Sequence, residues 1–243
     1  MEELSSIIEK MICTEVAANP LEYREPIIGY ADANDPLYNT LDEKIGAKQF
    51  HPQEMLPDAK TVIVYFIPFP ETLIRAIRQD QHTVPIWSQY YDATNKLLDK
   101  IGKNIIKKMA TFNIKGAMDP PTENFDLISL TGHWAHKASA VIAGIGTFGL
   151  NHLLITRLGS AGRLGSVVIN AKIPPTSRPV SSYCLYYKNG KCRVCAEKCP
   201  SGALTTERFD RFRCNAYLDG KNIRDDQQGC PLCSSGPCAD KGF

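Results

Sequence analysis

The chain has 243 residues, 43 % of them hydrophobic and 22 % charged, with a formal net charge of +2. That size suits one compact domain with a smaller one attached, and so small a net charge sets up no strong field for nucleic acid or an anionic membrane. The longest apolar run, residues 61–67, stops at Pro68, too short to cross a bilayer; with an acidic start, Met1-Glu2-Glu3, and no apolar leader, this reads as a cytoplasmic protein without a membrane partner.

In chain order, residues 5–18 place Ile7, Ile8, Met11, Ile12 and Val16 near helical spacing, and Pro20 stops the helix they predict. Residues 29–59 read as loop-rich. The β-branched and aromatic residues of 61–67 predict a central strand buried on both faces. A polar stretch follows, then a helix from about residue 90 to 111. One face of that helix carries Lys96, Lys100, Lys103 and Lys107; the opposite face carries Leu97, Leu98, Ile101, Ile105 and Met109. The lysine face is read as solvated. Residues 125–130 predict a short strand and 137–143 a helix ending at Gly144. Strands at 153–156 and 165–170 flank a loop from Gly159 to Arg163. Residues 173–179 form a proline-rich linker. The boundary is placed between residues 176 and 177, separating an α/β (α+β) cofactor domain, 1–176, from a small C-terminal domain, 177–243.

Gly144, Gly146 and Gly149 fit the string G-x-G-x-x-G. The dinucleotide fingerprint needs a strand before the glycines and a helix after them; here the order is reversed, so a Rossmann site is not expected. Glycines still let backbone N–H groups approach a large ligand closely. Just upstream, His133 and His136 flank Trp134, side chains suited to proton transfer or to plain packing.

Eight of the nine cysteines fall after residue 183. Cys192, Cys195 and Cys199 form C-x2-C-x3-C followed by Pro200, the tail of the bacterial ferredoxin motif, and eight thiolates serve two 4Fe–4S clusters. The cysteine before the proline ligates the other cluster in such proteins. The expected sets are therefore Cys184, Cys192, Cys195 and Cys238 for one cluster, and Cys199, Cys214, Cys230 and Cys233 for the second. The insert between Cys184 and Cys192 contains Asn189-Gly190, a turn that lets Cys184 double back. Structural zinc and disulfides are the alternatives; zinc has no use for the C-x3-C-P continuation, and a cytosolic chain favours metal over disulfides. Cys13, apart from the rest, reads as a small buried hydrophobe.

Three stretches give the chain a family resemblance: residues 55–63, the run Ala143-Gly-Ile-Gly-Thr-Phe-Gly-Leu-Asn151, and the cysteine segments at 192–200, 214–218 and 229–233. Together they resemble the core of epoxyqueuosine reductases, which are related to corrinoid-dependent reductive dehalogenases. The resemblance implies a nitroreductase-like α/β domain holding cobalamin, with a ferredoxin-like domain whose two 4Fe–4S clusters feed electrons to the cobalt. It assigns Gly146, Thr147, Gly149, Leu150 and Asn151 to the cofactor, with Gly159, Ser160 and Gly165 as a neighbouring wall. The chain departs from the family in three places. Leu130 stands where an acidic proton donor is expected, Thr94 and Asn95 replace a Tyr-His pair, and the chain ends five residues after Cys238, without the helical extension that contacts tRNA. Epoxyqueuosine reduction itself is therefore not expected; His133 is the candidate proton donor for another, small-molecule substrate, and nucleic acid is not expected as a partner. A ferredoxin or flavodoxin would supply electrons. The competing readings are a ferredoxin-like carrier that donates to a separate protein, a regulatory iron–sulfur protein, and an enzyme using FMN in place of cobalamin.

Overall fold

The computed structural model describes residues 3–79, 84–119, 125–220 and 229–243. Met1, Glu2 and part of the polar stretch expected before the long helix lie outside the described residues. In chain order the elements begin with α1 (Leu4–Ala17), β1 (Ile27–Asp32), α2 (Leu41–Ile45), α3 (Pro52–Met55), β2 (Thr61–Pro68), α4 (Glu71–Gln79), α5 (Val84–Ala110) and β3 (Gly116–Ala117). They continue with β4 (Phe125–Asp126), β5 (Thr131–Gly132), α6 (His136–Ile142), β6 (Gly146–Phe148), β7 (Leu154–Thr156), β8 (Gly162–Ile169), α7 (Leu185–Asn189), α8 (Val194–Glu197) and α9 (Arg211–Gly220).

A four-stranded antiparallel sheet in the order β1-β2-β8-β3 forms the centre. β2 is buried at every residue, as its unbroken apolarity predicts, because helices cover both faces. On one face α1 and α5 pack Ile8, Ile12, Leu98, Ile101 and Ile105 over Ile63, Tyr65 and Val167. On the other, Trp134, Ala140 and Ile142 pack over Val64, Phe66 and Val168. This gives a mixed α/β body of the expected class. The lysine face of α5 turns outward: Lys100 pairs with Glu15 at 2.7 Å and Lys103 with Asp99 at 2.7 Å.

Four expectations change. Cys13, read as a small buried hydrophobe, is exposed on α1. β1 occupies a stretch read as loop, since Gly29 and Asp32 break its apolar alternation. The strand expected over residues 125–130 lasts two residues. Asp126 Oδ1 accepts hydrogen bonds from the Ile128 and Ser129 N–H groups, at 2.7 and 3.2 Å, and closes a turn that leaves Leu127 and Ile128 exposed. The proline-rich linker is pinned rather than free: Thr176 N donates to Tyr30 O at 2.9 Å, Tyr30 N donates to Thr176 Oγ1 at 3.0 Å, and Arg178 pairs with Asp35.

Candidate functional site

The C-terminal segment is built from short turns, each presenting a cysteine. Cys184 caps α7, and Gly190 ends that helix in the left-handed region at φ +70°, so the insert folds into one helical turn and returns the chain to Cys192. Cys195 lies in α8 and Cys214 in α9. Cys184, Cys192, Cys195 and Cys238 line one pocket, walled by Leu150, Leu185, Val194 and Pro237. Leu150 N–H donates to Cys184 Sγ at 3.5 Å.

Burial first, and then the neighbouring thiols of the same pocket, push Cys195 and Cys238 up to about 11 and about 12. Cys233 is pushed up to about 12 by burial, then by Cys230 and Cys214, while Lys137 opposes the rise. Cys230 in turn feels Cys199. Cys199 is lowered: burial raises it, but Ser201 Oγ at 3.4 Å and the N–H groups of Ser201, Ala203 and Leu204 outweigh that. Thiols that are buried and mutually repelling resist ionisation until a cationic group joins them. Among the described residues no three His, Cys, Asp or Glu side chains meet on a point suited to one metal ion. Four thiols lining one pocket are a donor set for a 4Fe–4S cluster or for a tetrahedral zinc.

The glycine-rich turn supports this segment directly. Gly146 and Thr147 lie in β6, paired with β7, and Thr147 Oγ1 accepts from Tyr183 N at 2.8 Å. Gly149 packs against Ile155, and Asn151 Nδ2 donates to Cys233 O at 3.0 Å. At Gly159 (φ +88°) an added Cβ would lie 2.3 Å from Ala239 O. Ser160 N and Ala161 N donate to the carbonyls of Cys238 and Ala239, at 2.9 and 3.0 Å. The residues that the resemblance assigns to a cofactor thus also seat the cysteine-bearing tail. Gly165 stands apart on β8, against the ring of Tyr65. With a strand at 146–148 and a helix before it, the Rossmann arrangement is absent from this turn.

The two histidines part ways. His133 is half-buried, its ring 5.6 Å from that of Phe50, and it helps hold the Asp126 carboxyl below its usual range after the stronger effect of the Ile128 and Ser129 N–H groups. His136 sits deeper. Its Nδ1 is 2.9 Å from Ser166 Oγ, which also accepts from Trp134 Nε1 at 2.8 Å, and its Nε2 is buried without a partner among the described residues. Burial, then the Arg163 charge, lowers its pKa to about 4.

Arg163, expected at the end of a loop, lies in a strand. It enters β8 and reaches α5, where its guanidinium stacks 3.7 Å from the Tyr91 ring centroid and donates from Nε and Nη2 to Asn95 Oδ1 at 3.1 and 2.7 Å. Gly229, just before Cys230, lies beside the same Tyr91 ring.

No family model matches the chain. It is 29 % identical over 180 residues to an epoxyqueuosine reductase of Bacillus cereus, a match covering 70 % of this chain and 43 % of the relative. To that of Listeria monocytogenes it is 25 % identical over 210 residues, 83 % of this chain and 51 % of the relative. The chain thus spans about half the length of these curated relatives, or less. Among solved structures, epoxyqueuosine reductase from Streptococcus thermophilus superposes on 98 % of the chain and 68 % of its own length, with TM-score 0.57 and 22 % identity. An epoxyqueuosine reductase bound to an epoxyqueuosine-modified tRNA stem loop gives 0.60 at 21 %, covering 99 % of this chain and 68 % of that one. A catabolic reductive dehalogenase gives 0.59 at 12 %, covering 99 % and 37 %. Among the described residues no helix is long and apolar enough to cross a membrane. By sequence the chain is related to the epoxyqueuosine reductases, and its fold is the one they share with reductive dehalogenases.

Proposed function

We propose that the chain is an iron–sulfur oxidoreductase that passes electrons through two 4Fe–4S clusters to a bound corrinoid, which reduces a small-molecule substrate. The observation that carries this reading is the pocket where Cys184, Cys192 and Cys195 meet Cys238, from the far end of the segment, against Leu150. In it, residues 177–243 form the two-cluster ferredoxin-like domain and residues 1–176 the nitroreductase-like cofactor domain. Cys199, Cys214, Cys230 and Cys233 hold the second cluster. A bound corrinoid supplies a low-potential cobalt for a difficult reduction. The chain's residues do the rest: Gly149 to Asn151 fix the cluster segment, Lys137 sets a positive charge beside Cys233, and His133 delivers a proton. A solved reductive dehalogenase described as B12-dependent, with TM-score 0.50, supports the choice of corrinoid over flavin.

The test is anaerobic reconstitution with iron and sulfide, followed by gel filtration with cobalamin, with FMN, and with an epoxyqueuosine-modified stem loop. About eight irons per chain and co-eluting, reducible cobalamin are expected. Eight irons with neither cofactor retained would leave an electron carrier for a separate protein. Retention of the stem loop would return the substrate to tRNA.

A further inference from the structure

Seven residues, 185–191, separate Cys184 from Cys192, where the ferredoxin motif has about two. They fold as α7 and the Gly190 turn: Lys188 N donates to Cys184 O at 3.0 Å and Gly190 N to Tyr186 O at 2.7 Å. Leu185 lines the cysteine pocket, yet no residue of α7 is buried, so this helix lies on the surface beside the buried Cys184 and Cys195. Its outer side is aromatic and basic. Tyr187 is 56 % exposed, its ring edge-on to Tyr186 at 5.6 Å. Burial first, then Cys184, raises the pKa of its hydroxyl, which sets that ring next to the cysteine pocket. Lys188, Lys191 and Arg193 are all exposed, and none forms an ion pair or a side-chain hydrogen bond among the described residues. Glu207 feels the Arg193 charge without forming an ion pair with it. Residues 185–198 hold four cations against one carboxylate, Glu197. On α5, by contrast, Lys100 and Lys103 pair with Glu15 and Asp99.

We propose that residues 185–193 are the docking surface for an acidic one-electron carrier protein, and that electrons enter the chain there, at the cluster of Cys184, Cys192, Cys195 and Cys238. Transient electron-transfer contacts are small, and complementary charge rather than buried area brings the partners together. Three uncompensated cations around one exposed ring have that form, and they sit on the side of the pocket where Cys192 is part-exposed. Resting on the proposed function, the step is a bare electron transfer: the reduced carrier loses one electron, the oxidised cluster gains it, and no bond forms or breaks.

The experiment uses the reconstituted full chain and an acidic plant-type 2Fe–2S ferredoxin. Binding of the oxidised ferredoxin is measured by calorimetry at low salt and at about 0.15 M salt, and single-turnover reduction by the reduced ferredoxin is followed in a stopped-flow spectrometer. Two double variants of equal net charge are compared at equal iron content, Lys188→Glu/Lys191→Glu on the insert and Lys96→Glu/Lys107→Glu on α5. Lys188→Gln/Lys191→Gln serves as a milder pair. The insert reversal is expected to weaken binding and slow reduction by about tenfold or more, the glutamine pair to fall between it and the wild type, and the α5 reversal to change little. Binding to the wild type weakens as salt rises. Dithionite, which needs no docking surface, reduces the clusters equally in all of them. If both reversals act alike, or if the wild type shows no salt-sensitive binding, the docking surface is overturned and the insert is merely solvated. A chain that takes up no iron removes the proposed function and this surface together; iron-loaded, dithionite-reducible chains that ignore the insert charges remove the surface alone.

Discussion

The side-chain amide of Asn151 donates to the backbone carbonyl of Cys233 at 3.0 Å, across 82 residues of chain. The same side chain accepts from Leu153 N at 3.2 Å, so one buried amide closes the glycine turn and fastens the second group of cysteines to it. Asn151→Ala strands the Cys233 carbonyl and frees the turn. The expected cost is about 1–3 kcal/mol, read as a lower denaturation midpoint and faster iron loss to a chelator. Asn151→Asp, which keeps the Leu153 bond and loses the Cys233 bond, separates the two roles.

Gly159 is held at φ +88°, and its missing Cβ makes room for Ala239 O. A side chain meets both a strained backbone, about 1–2 kcal/mol, and the main chain of the tail that carries Cys238. Gly159→Ala is expected to release that tail and cut iron content by up to half, with the sheet core intact by circular dichroism. Full iron content in this variant would show that Cys238 is held by other means, chiefly Arg78, which bonds the Asp240 carboxylate at 2.8 and 3.0 Å and the carbonyls of Ser235 and Gly236.

How much of this was visible in the sequence depends on whether the signal is local. β2 is a continuous apolar run, the apolar face of α5 repeats at helical spacing, and the return of Cys184 follows from Asn189-Gly190; each is a property of neighbouring residues. β1 escaped because Gly29, which lies where a Cβ would strike Ala143 O, reads as a loop residue until its packing partner is known. The Arg163–Asn95 and Trp134–Ser166–His136 bonds join residues 68, 32 and 30 positions apart. No periodicity encodes such pairs; the packing of α5 and of the segment entering α6 against β8 creates them. The same distance in sequence hid the link between Asn151 and Cys233, although both residues had been singled out separately.

The crossed arrangement of cysteines can be separated by pairs. Cys238 shares its pocket with Cys184, Cys192 and Cys195, while Cys233 feels Cys230 and Cys214 most strongly among cysteines. Cys184→Ala and Cys238→Ala are therefore expected to delete the same electron paramagnetic resonance signal, and Cys199→Ala and Cys233→Ala the other, with about four irons lost in each case. If Cys184→Ala and Cys199→Ala removed one common signal, the crossing would be wrong.

His136 gives the fold a pH dependence with a definite sign. Burial holds its folded pKa at about 4, against 6.5 for the free side chain. The unfolded chain therefore binds the proton first, so stability rises with pH across this window and falls as pH drops from about 6.5 towards 4. Between pH 7.5 and 5.5 this one group is expected to remove about 1.3 kcal/mol. His136→Asn, which does not titrate, should flatten that part of the profile while losing some stability at pH 7.5, because Ser166 then keeps a poorer partner. Denaturant unfolding of both proteins at the two pH values measures the difference. Parallel profiles would mean that His136 is solvated and that its Nε2 is already satisfied by water.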